Sequence, residues 1–261
     1  MNTLISLSLV WLAAILFMST LWLVQRRTGN AGIVDVGWSF SIGCAALGLG
    51  LFLEGDPSRR LVVMLMGGLW GLRLAWHIHR RSHGKPEDGR YQQLRRDYGD
   101  NVQSRMFRFY QMQALTVPFF ALPFALSAGN PAPFGNILDS AGILLWLIAL
   151  SGEALADAQL VAFKRRGGVD GPVCRSGLWR YSRHPNYFFE WLNWCAFALL
   201  ALSAPWGFLA LLCPAAMFVL LVYVTGIPPT EEQAVRSKGE AYRDYQRTTS
   251  AFVPWFPKGE K

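Results

Sequence analysis

Residues 180–187 read Arg-Tyr-Ser-Arg-His-Pro-Asn-Tyr, and an apolar segment follows them directly. Pro185 suits the first turn of a helix, where its missing N–H costs nothing. The stretch therefore predicts a helix that enters a membrane, with cationic side chains at the membrane surface where the helix begins. Asn186, Glu190 and Asn193 are spaced by four and three residues, so they share one face of this helix. A polar face inside a bilayer is costly and by default suggests a function.

The rest of the chain alternates in the same way between apolar segments and basic loops. Of its 261 residues, 52% are hydrophobic and 16% are charged, which leaves too little polar surface to coat a large soluble helical core. Seven segments approach the roughly 20 apolar residues that a helix needs to cross a bilayer. They are residues 2–24, 32–53, 61–79, 107–128, 138–162, 186–203 and 206–226. The predicted fold is an all-α integral membrane protein, a seven-transmembrane helix bundle.

The basic residues predict how this bundle is oriented. They cluster at 26–27, at 80–108, at 164–183 and after 235. With seven spans, all of these places fall on one side of the membrane. The positive-inside rule then puts the N-terminus outside and the C-terminus in the cytoplasm. The net charge of +8 is explained by these loops and requires no nucleic acid.

The chain shows no internal repeat and no linker long enough to divide it. We expect a single membrane domain over residues 1–261, with a four-helix substrate-side half at 1–128. Residues 129–261 would form a three-helix cofactor-side half and a cytoplasmic tail. The four cysteines do not have the spacing of metal ligands, so we expect no metal site.

Ionisable side chains recur near the cytoplasmic ends of several predicted spans. Asp35 begins the second span, His77 lies in the third, and Glu190 lies in the sixth. Glu153 and Asp157 are four residues apart on one face of the fifth. Each residue alone could be structural, for example as a helix-end charge paired with an arginine. Four helices with polar groups at one depth nevertheless predict a polar cavity that opens to the cytoplasm.

The cytoplasmic loops indicate what this cavity binds. Residues 87–91 read Glu-Asp-Gly-Arg-Tyr, and residues 164–168 read Lys-Arg-Arg-Gly-Gly. Arginine binds phosphate bidentately, and glycine permits a close approach of the backbone. No Gly-x-Gly-x-x-Gly motif follows a strand and no Walker-type loop occurs, which argues against a soluble dinucleotide-binding or P-loop fold. We therefore expect a phosphate-bearing cofactor held by helix ends and loop arginines.

Several of these motifs resemble the steroid 5-alpha-reductase family of membrane reductases, and its bacterial members in particular. The likeness is carried by residues 34–38, 73–80, 87–91, 177–190 and 232–245. The Arg-His-Pro-Asn-Tyr motif also occurs in sterol reductases and isoprenylcysteine methyltransferases. The resemblance implies a seven-helix bundle in a bacterial inner membrane that binds NADPH from the cytosol. It also implies reduction of a carbon–carbon double bond conjugated to a ketone, as in 3-oxo-Δ4 steroids.

The resemblance also implies roles for individual residues. Asp157, Asn186, Glu190 and Trp194 match family positions that line the cofactor, and Lys164 falls where the family has an arginine. The full set that we expect at the cofactor is Arg80, Arg90, Tyr91, Arg95, Gln111, Glu153, Asp157, Lys164, Arg165, Tyr181, Arg183, His184, Asn186, Glu190, Trp194 and Lys238.

Three positions depart from the family pattern. The family's catalytic pair is a glutamate on the second span and a tyrosine on the third, and these positions hold Asp35 and His77 here. A tail tyrosine that contacts the cofactor in the family corresponds to Lys238. We hypothesise that His77 donates a hydrogen bond to the substrate ketone with Asp35 as its partner. Histidine can donate and titrates near neutrality, and the developing charge on the ketone oxygen needs a donor.

Two other functions stay open at this point. An AdoMet-dependent methyltransferase of the isoprenylcysteine type would use the same Arg-His-Pro motif but needs no proton-donating pair in the third span. A transporter or scaffold would place polar residues near mid-bilayer, whereas here they crowd one side. The partners that we expect are membrane lipids and a steroid-like lipophilic enone that enters from the bilayer between spans one and four.

Overall fold

The computed structural model describes residues 2–167 and 172–258 of the chain, and every regular element in those ranges is helical. The α-helices there are α1 (Thr3–Thr28), α2 (Ile33–Phe52), α3 (Pro57–Ser82), α4 (Gly89–Tyr98), α5 (Val102–Phe120), α6 (Leu122–Ala128), α7 (Ile137–Arg165), α8 (Pro185–Ala201), α9 (Leu212–Val219), α10 (Ile227–Lys238) and α11 (Glu240–Thr248). Short 3₁₀ turns lie at Gly99–Asn101, Gly177–Arg180 and Gly207–Leu211, and a π turn lies at Leu220–Val224. The prediction of an all-α protein is confirmed for these residues.

Six helical segments of the described ranges are long and apolar enough to cross a membrane. They are α1, α2, α3, the stretch from α4 to α6, α7, and the stretch Gly207–Lys238. Helix α8 has 17 residues, which is the lower limit for a spanning helix. The structure therefore supports a membrane protein, while the count of seven spans and their orientation stay predictions.

Local sequence signals explain where several helices begin. Asp56 caps α3 by accepting hydrogen bonds from two backbone N–H groups, and Pro57 occupies the first helical position. Asp88 caps α4 by accepting a hydrogen bond from the backbone N–H of Arg90. Pro185 is the first residue of α8, as its place in the Arg-His-Pro-Asn-Tyr motif predicts.

Two predicted spans are interrupted. The span predicted at 107–128 is divided into α5 and α6 at Ala121, between Pro118 and Pro123. Proline lacks an N–H donor and clashes with the carbonyl four residues earlier, so a helix bends or breaks there. The span predicted at 206–226 begins with a 3₁₀ turn and ends in a π turn rather than forming one continuous α-helix.

The chain divides into two compact units. The first comprises Met1–Asp139 and Leu199–Cys213, and the second comprises Ser140–Ala198 and Pro214–Lys261. Helices α1 to α6 belong to the first unit, and α10 and α11 belong to the second. The longest helix, α7, contributes its first residues to the first unit and the rest to the second.

In the first unit, α2 and α3 pack backbone against backbone. A Cβ atom added to Gly71 would lie 2.6 Å from the Cα atom of Gly43 and 2.8 Å from the Ser39 carbonyl oxygen. A Cβ atom added to Gly67 would collide with the side chain of Ala46. Gly67 and Gly71 are four residues apart, the spacing that lets membrane helices approach closely. A larger side chain at either position would push α2 and α3 apart.

A buried ion pair joins the start of α3 to Asp139. The guanidinium of Arg59 donates to both carboxylate oxygens of Asp139, at 2.6 and 2.9 Å, and both side chains are fully buried. Arg59 also donates to the carbonyl oxygens of Ala132 and Pro133. No local pattern indicates this pair, because the two residues lie 80 positions apart in the chain.

Candidate active site

A cluster of charged and phenolic side chains lies at the start of α2 in the first unit. Tyr91 Oη donates a hydrogen bond to Asp35 Oδ1 at 2.6 Å, and Arg90 Nη2 lies 3.4 Å from Asp35 Oδ2. Tyr91 is buried, whereas the side chains of Arg90 and Asp35 are 30% and 28% exposed. A carboxyl group held between a phenol and a guanidinium is placed to share a proton with the phenol. A ligand can still reach it.

The first turn of α4 positions both partners of Asp35. Asp88 caps this helix by accepting a hydrogen bond from the backbone N–H of Arg90 at 3.0 Å. The same carboxylate accepts from Arg90 Nε at 3.2 Å. Because Tyr91 is the next residue, fixing Arg90 also fixes the direction in which the phenol leaves the helix.

The loop before α2 is held by a second set of hydrogen bonds. The backbone N–H of Ala31 donates to Glu87 Oε1 at 2.6 Å, and its carbonyl accepts from Tyr110 Oη at 3.0 Å. Arg95 donates to Glu87 Oε2 at 2.9 Å and to Gln25 Oε1 at 2.8 Å. Arg95, expected at the cofactor, therefore helps to hold the loop that leads to Asp35.

Three further residues from the sequence analysis lie on α3 and α5 of the first unit. His77 is half-buried on α3. Arg80 is exposed near the end of α3, and its guanidinium lies 5.8 Å from the centroid of the Trp76 ring. Gln111 Nε2 donates to Ser19 Oγ at 3.0 Å. Gln111 thus joins α5 to α1.

An apolar pocket of about 300 Å³ lies between α1 and α2 of the first unit. A Cβ atom added to Gly37 would collide with Leu21, so the two helices touch at that level. A Cβ atom added to Gly48 would meet nothing within 4 Å. The helices therefore separate toward Gly48, and the pocket fills the gap. The rings of Phe17 and Phe40, with centroids 5.7 Å apart, form part of its wall.

In the second unit, polar side chains of α7 and α8 face each other. Asn193 Nδ2 donates to Glu153 Oε2 at 3.3 Å, and Asn186 Nδ2 lies 3.5 Å from Asp157 Oδ1. Glu153, Asp157 and Asn193 are buried. These pairs bring together the polar faces that the residue spacing predicts on the two helices.

Glu190 and Trp194 extend the polar face of α8. Trp194 Nε1 donates to Glu190 Oε1 at 2.9 Å, and Trp194 is fully buried. Two buried polar atoms of α7 and α8, Trp146 Nε1 and Asn193 Oδ1, have no hydrogen-bond partner within the described part of the chain. One is a donor and the other an acceptor, and buried polar atoms are normally hydrogen-bonded. A polar ligand at this face could satisfy them.

Arg183 and His184 connect the start of α8 to the tail helices of the second unit. Arg183 Nε donates to Glu231 Oε1 at 2.7 Å, and its Nη1 donates to the carbonyl oxygens of Gln246 and Thr249. His184 Nε2 lies 3.0 Å from Glu231 Oε1. Because Arg183 and His184 are engaged with protein groups, we interpret them as fastening the tail beside the polar face.

Glu231 is absent from the residues expected from the sequence, although a signal for it exists. It lies on α10 four residues after Ile227, which is buried, and four before Val235, which packs against the hydrophobic core of the tail. An acid between apolar residues at those spacings lies on the packed face of its helix. A charge taken out of water needs a partner, so this periodicity could have indicated Glu231.

The other residues expected at the cofactor are more exposed. Lys164 and Arg165 lie in the last turn of α7, where positive charge complements the helix dipole. Lys238 Nζ lies 5.7 Å from the centroid of the Tyr242 ring. The backbone carbonyl of Tyr181 accepts a hydrogen bond from the tail.

Acid is expected to weaken the second unit through His184. Burial lowers the pKa of His184 below its ordinary value, although Glu231 acts in the opposite direction. The folded chain therefore binds this proton less readily than the unfolded chain, so the free energy of unfolding falls as the pH drops below about 6.5. Thermal unfolding in detergent at pH 7.5 and 5.5 measures this dependence. The substitution His184→Gln keeps a neutral hydrogen-bond donor that does not titrate.

His184→Gln should therefore reduce the difference in Tm between the two pH values. The exposed His79 provides the control, and His79→Gln should leave that difference unchanged. Equal pH dependence in the wild type and His184→Gln would contradict the prediction.

Comparison with known proteins identifies the family. A family model described as "Protein of unknown function (DUF1295)" matches residues 21–249, which is most of the chain. The chain belongs to this family. An uncharacterized protein of Schizosaccharomyces pombe, C594.04c, is 28% identical over 266 residues, which cover 90% of this chain and 76% of that protein.

Two steroid dehydrogenases match a smaller part of the chain. The 3-oxo-5-alpha-steroid 4-dehydrogenase 1 of Mus musculus is 27% identical over 114 residues, which cover 44% of this chain and 41% of that protein. The protein of the same name from Bos taurus is 28% identical over 115 residues, which cover 44% and 40%. The resemblance to the steroid 5-alpha-reductase family is thus confirmed as a distant relationship. No solved structure matches this chain significantly.

Proposed function

We propose that this membrane protein is an NADPH-dependent oxidoreductase that reduces a carbon–carbon double bond conjugated to a ketone in a lipophilic substrate. A 3-oxo-Δ4 steroid is an example of such a substrate. The distant relatives named 3-oxo-5-alpha-steroid 4-dehydrogenase support an oxidoreductase of this kind. The observation that carries the proposal is the 2.6 Å contact between Tyr91 Oη and Asp35 Oδ1. We place the protein in a bacterial inner membrane, with its active site open to the cytoplasm.

The reaction needs a hydrogen-bond donor at the carbonyl oxygen of the substrate. Hydride addition to the β-carbon moves an electron pair onto that oxygen, and a proton from water then joins the α-carbon to complete the reduction. A donor near the oxygen lowers the barrier by stabilising the developing charge. In our proposal the Tyr91 hydroxyl is this donor.

Asp35 and Arg90 allow Tyr91 to act in this way. The Asp35 carboxylate accepts the Tyr91 hydrogen bond at 2.6 Å and so fixes the position of the phenol. In the substrate complex the phenol turns this hydrogen toward the ketone oxygen, and Arg90 remains the partner of Asp35. Arg90, 3.4 Å from Asp35, adds positive charge near the developing oxyanion. The three side chains together hold the proton and stabilise the charge.

This assignment gives the donor role to Tyr91 rather than to His77. The resemblance implies a carboxylic acid on the second span and a tyrosine as its partner. Asp35 on α2 and Tyr91 on α4 supply the same two chemical groups, with the tyrosine coming from a different helix. Separate substitutions of His77 and Tyr91 distinguish the two assignments.

The polar face of α7 and α8 has groups that fit NADPH. NADPH, when bound, supplies the hydride. Asp157 and Glu190 are acids of the type that accept hydrogen bonds from ribose hydroxyls, and the buried Asn193 Oδ1 can accept one from an amide N–H. Lys164 and Arg165 at the end of α7 are suited to phosphate.

The pocket between α1 and α2 suits a lipophilic substrate. Its volume of about 300 Å³ lies at the lower end of the range for small-molecule sites. Ser41 in its wall follows Asp35 by six residues on α2, which is about 9 Å along the helix axis. We propose that the apolar body of the substrate uses this pocket to leave the bilayer.

A binding measurement tests the proposed function. The detergent-purified protein is titrated in parallel with NADPH, NADH and AdoMet. We expect saturable binding of NADPH, weaker binding of NADH because it lacks the 2′-phosphate, and no binding of AdoMet. Asp157→Asn should weaken NADPH binding, whereas the exposed Glu232→Gln serves as the matched control. Binding of AdoMet alone would favour the methyltransferase, and binding of neither would contradict both.

A further inference from the structure

The last described residues of the chain fold back over the loop before α8. The backbone N–H of Trp255 donates to the Tyr181 carbonyl at 2.9 Å, and that of Lys258 donates to the Thr248 carbonyl at 2.8 Å. The rings of Tyr181 and Phe256 pack edge to face, with centroids 6.0 Å apart. These contacts bring the end of the tail close to the 3₁₀ turn Gly177–Arg180.

A pocket of about 350 Å³ lies beside this segment. It is lined by three cationic side chains, two threonines and a proline. These are Arg175, Arg180, Lys258, Thr248, Thr249 and Pro257. Among the described residues the lining contains no acidic side chain, so this part of the pocket favours an anion.

Two of the three cationic side chains have no acidic ion-pair partner within the described part of the chain. Arg175 pairs with Asp244 at 2.8 Å and stacks over the Tyr245 ring. Arg180 and Lys258 are exposed and have no acidic side chain within ion-pair distance among the described residues. A concave surface with unpaired positive charge and hydroxyl groups attracts phosphate.

Large apolar side chains of the same tail segment are exposed. Val253, Trp255 and Phe256 have 52%, 70% and 75% of their surface accessible. Tryptophan and other aromatic side chains favour the boundary between membrane and water. A phosphate beside hydrocarbon is the chemistry of a phospholipid, whereas a free phosphate ion would leave these side chains without a role.

We propose that this pocket binds the phosphate of an anionic membrane lipid. Arg180 and Lys258 pair with the phosphate oxygens, while Trp255 and Phe256 lie in the membrane interface. Arginine can grip phosphate with two parallel N–H groups, and lysine adds a point charge. The inference requires a membrane protein but does not depend on the proposed reductase activity, because none of these residues is assigned to substrate or cofactor.

The experiment compares lipid affinity in two variants of equal net charge. The full-length protein in detergent is titrated with dioctanoyl phosphatidylglycerol, dioctanoyl phosphatidylcholine and inorganic phosphate. Arg180→Gln/Lys258→Gln removes the two unpaired cations, and Arg236→Gln/Arg243→Gln removes two exposed cations from elsewhere in the tail. We expect the first variant to lose phosphatidylglycerol affinity by about fivefold per cation, because each basic residue near an anionic lipid contributes about 1 kcal/mol. The control variant should change less than twofold.

A second variant separates a lipid from a free phosphate. Trp255→Ser/Phe256→Ser should weaken binding of phosphatidylglycerol without changing binding of inorganic phosphate. Circular dichroism checks that each variant keeps its helical content. The proposal would be overturned by equal losses in the two charge variants, by unchanged lipid affinity, or by inorganic phosphate binding more tightly than phosphatidylglycerol.

Discussion

Replacing Tyr91 by phenylalanine is expected to lower kcat for enone reduction by about 10²–10³-fold, with NADPH affinity nearly unchanged. The variant keeps the ring that packs in the first unit and removes only the hydroxyl that contacts Asp35. The lost group acts on charge that develops in the transition state, so the loss should appear in kcat rather than in KM. The measurement is steady-state oxidation of NADPH with a steroid enone in detergent.

Tyr110 provides a matched control for this prediction. It is also a buried tyrosine of the first unit, and its hydroxyl donates one hydrogen bond to the Ala31 carbonyl at 3.0 Å. Tyr110→Phe therefore removes a comparable hydrogen bond away from Asp35 and should change kcat only a few-fold.

Asp35→Asn and His77→Gln complete the comparison. We expect Asp35→Asn to lose activity to a degree similar to Tyr91→Phe, because the amide cannot share a proton with the phenol in the same way. His77→Gln should have the smaller effect. A large loss in His77→Gln together with full activity in Tyr91→Phe would reverse the assignment and restore His77 as the donor.

Breaking the ion pair between Arg59 and Asp139 is expected to destabilise the protein by about 3–5 kcal/mol. Asp139→Asn leaves the guanidinium fully buried without a countercharge, and Arg59→Met leaves the carboxylate in the same position. In a chain of this size such a loss corresponds to a fall in Tm on the order of 10 °C. Thermal unfolding in detergent, followed by circular dichroism, provides the measurement.

The double variant Arg59→Met/Asp139→Leu tests the physical reason. Removing both charges also removes the cost of keeping them out of water, so much of the lost stability should return. Arg236→Gln breaks an exposed pair with Glu232, in which both side chains are about two-thirds accessible, and should shift Tm by no more than about 1–2 °C. Equal effects from the buried and the exposed substitutions would contradict the argument.

Much of the helical architecture could be predicted because its signals are local. Continuous apolar segments mark α1, α2, α3 and α7, and Pro185 marks the start of α8. The sequence pattern places α4 in a basic loop, because charged and amide side chains dominate the segment and only Tyr91, Leu94 and Tyr98 mark its packed face. Its N-cap, Asp88, and the spacing of those three residues by three and four positions could have suggested a helix.

The candidate site could be predicted only in part. The polar faces of α7 and α8 follow from spacings of three and four residues, and the structure pairs Asn193 with Glu153 across them. The partner of Asp35 could not be predicted in this way. Tyr91 lies 56 positions away from Asp35, and alignment with the family motif indicates His77 as the partner instead.

The sequence by itself determined which segments are helical and apolar, where prolines and caps begin or interrupt them, and which helix faces are polar. These properties depend on residues within one or two turns of each other. The tertiary structure alone decided that Tyr91 meets Asp35, that Arg59 meets Asp139, and that His184 meets Glu231. Each of these pairs joins residues at least 47 positions apart, so it depends on how helices pack rather than on local periodicity. The close contact of α2 and α3 at Gly43 and Gly71 is part of that packing.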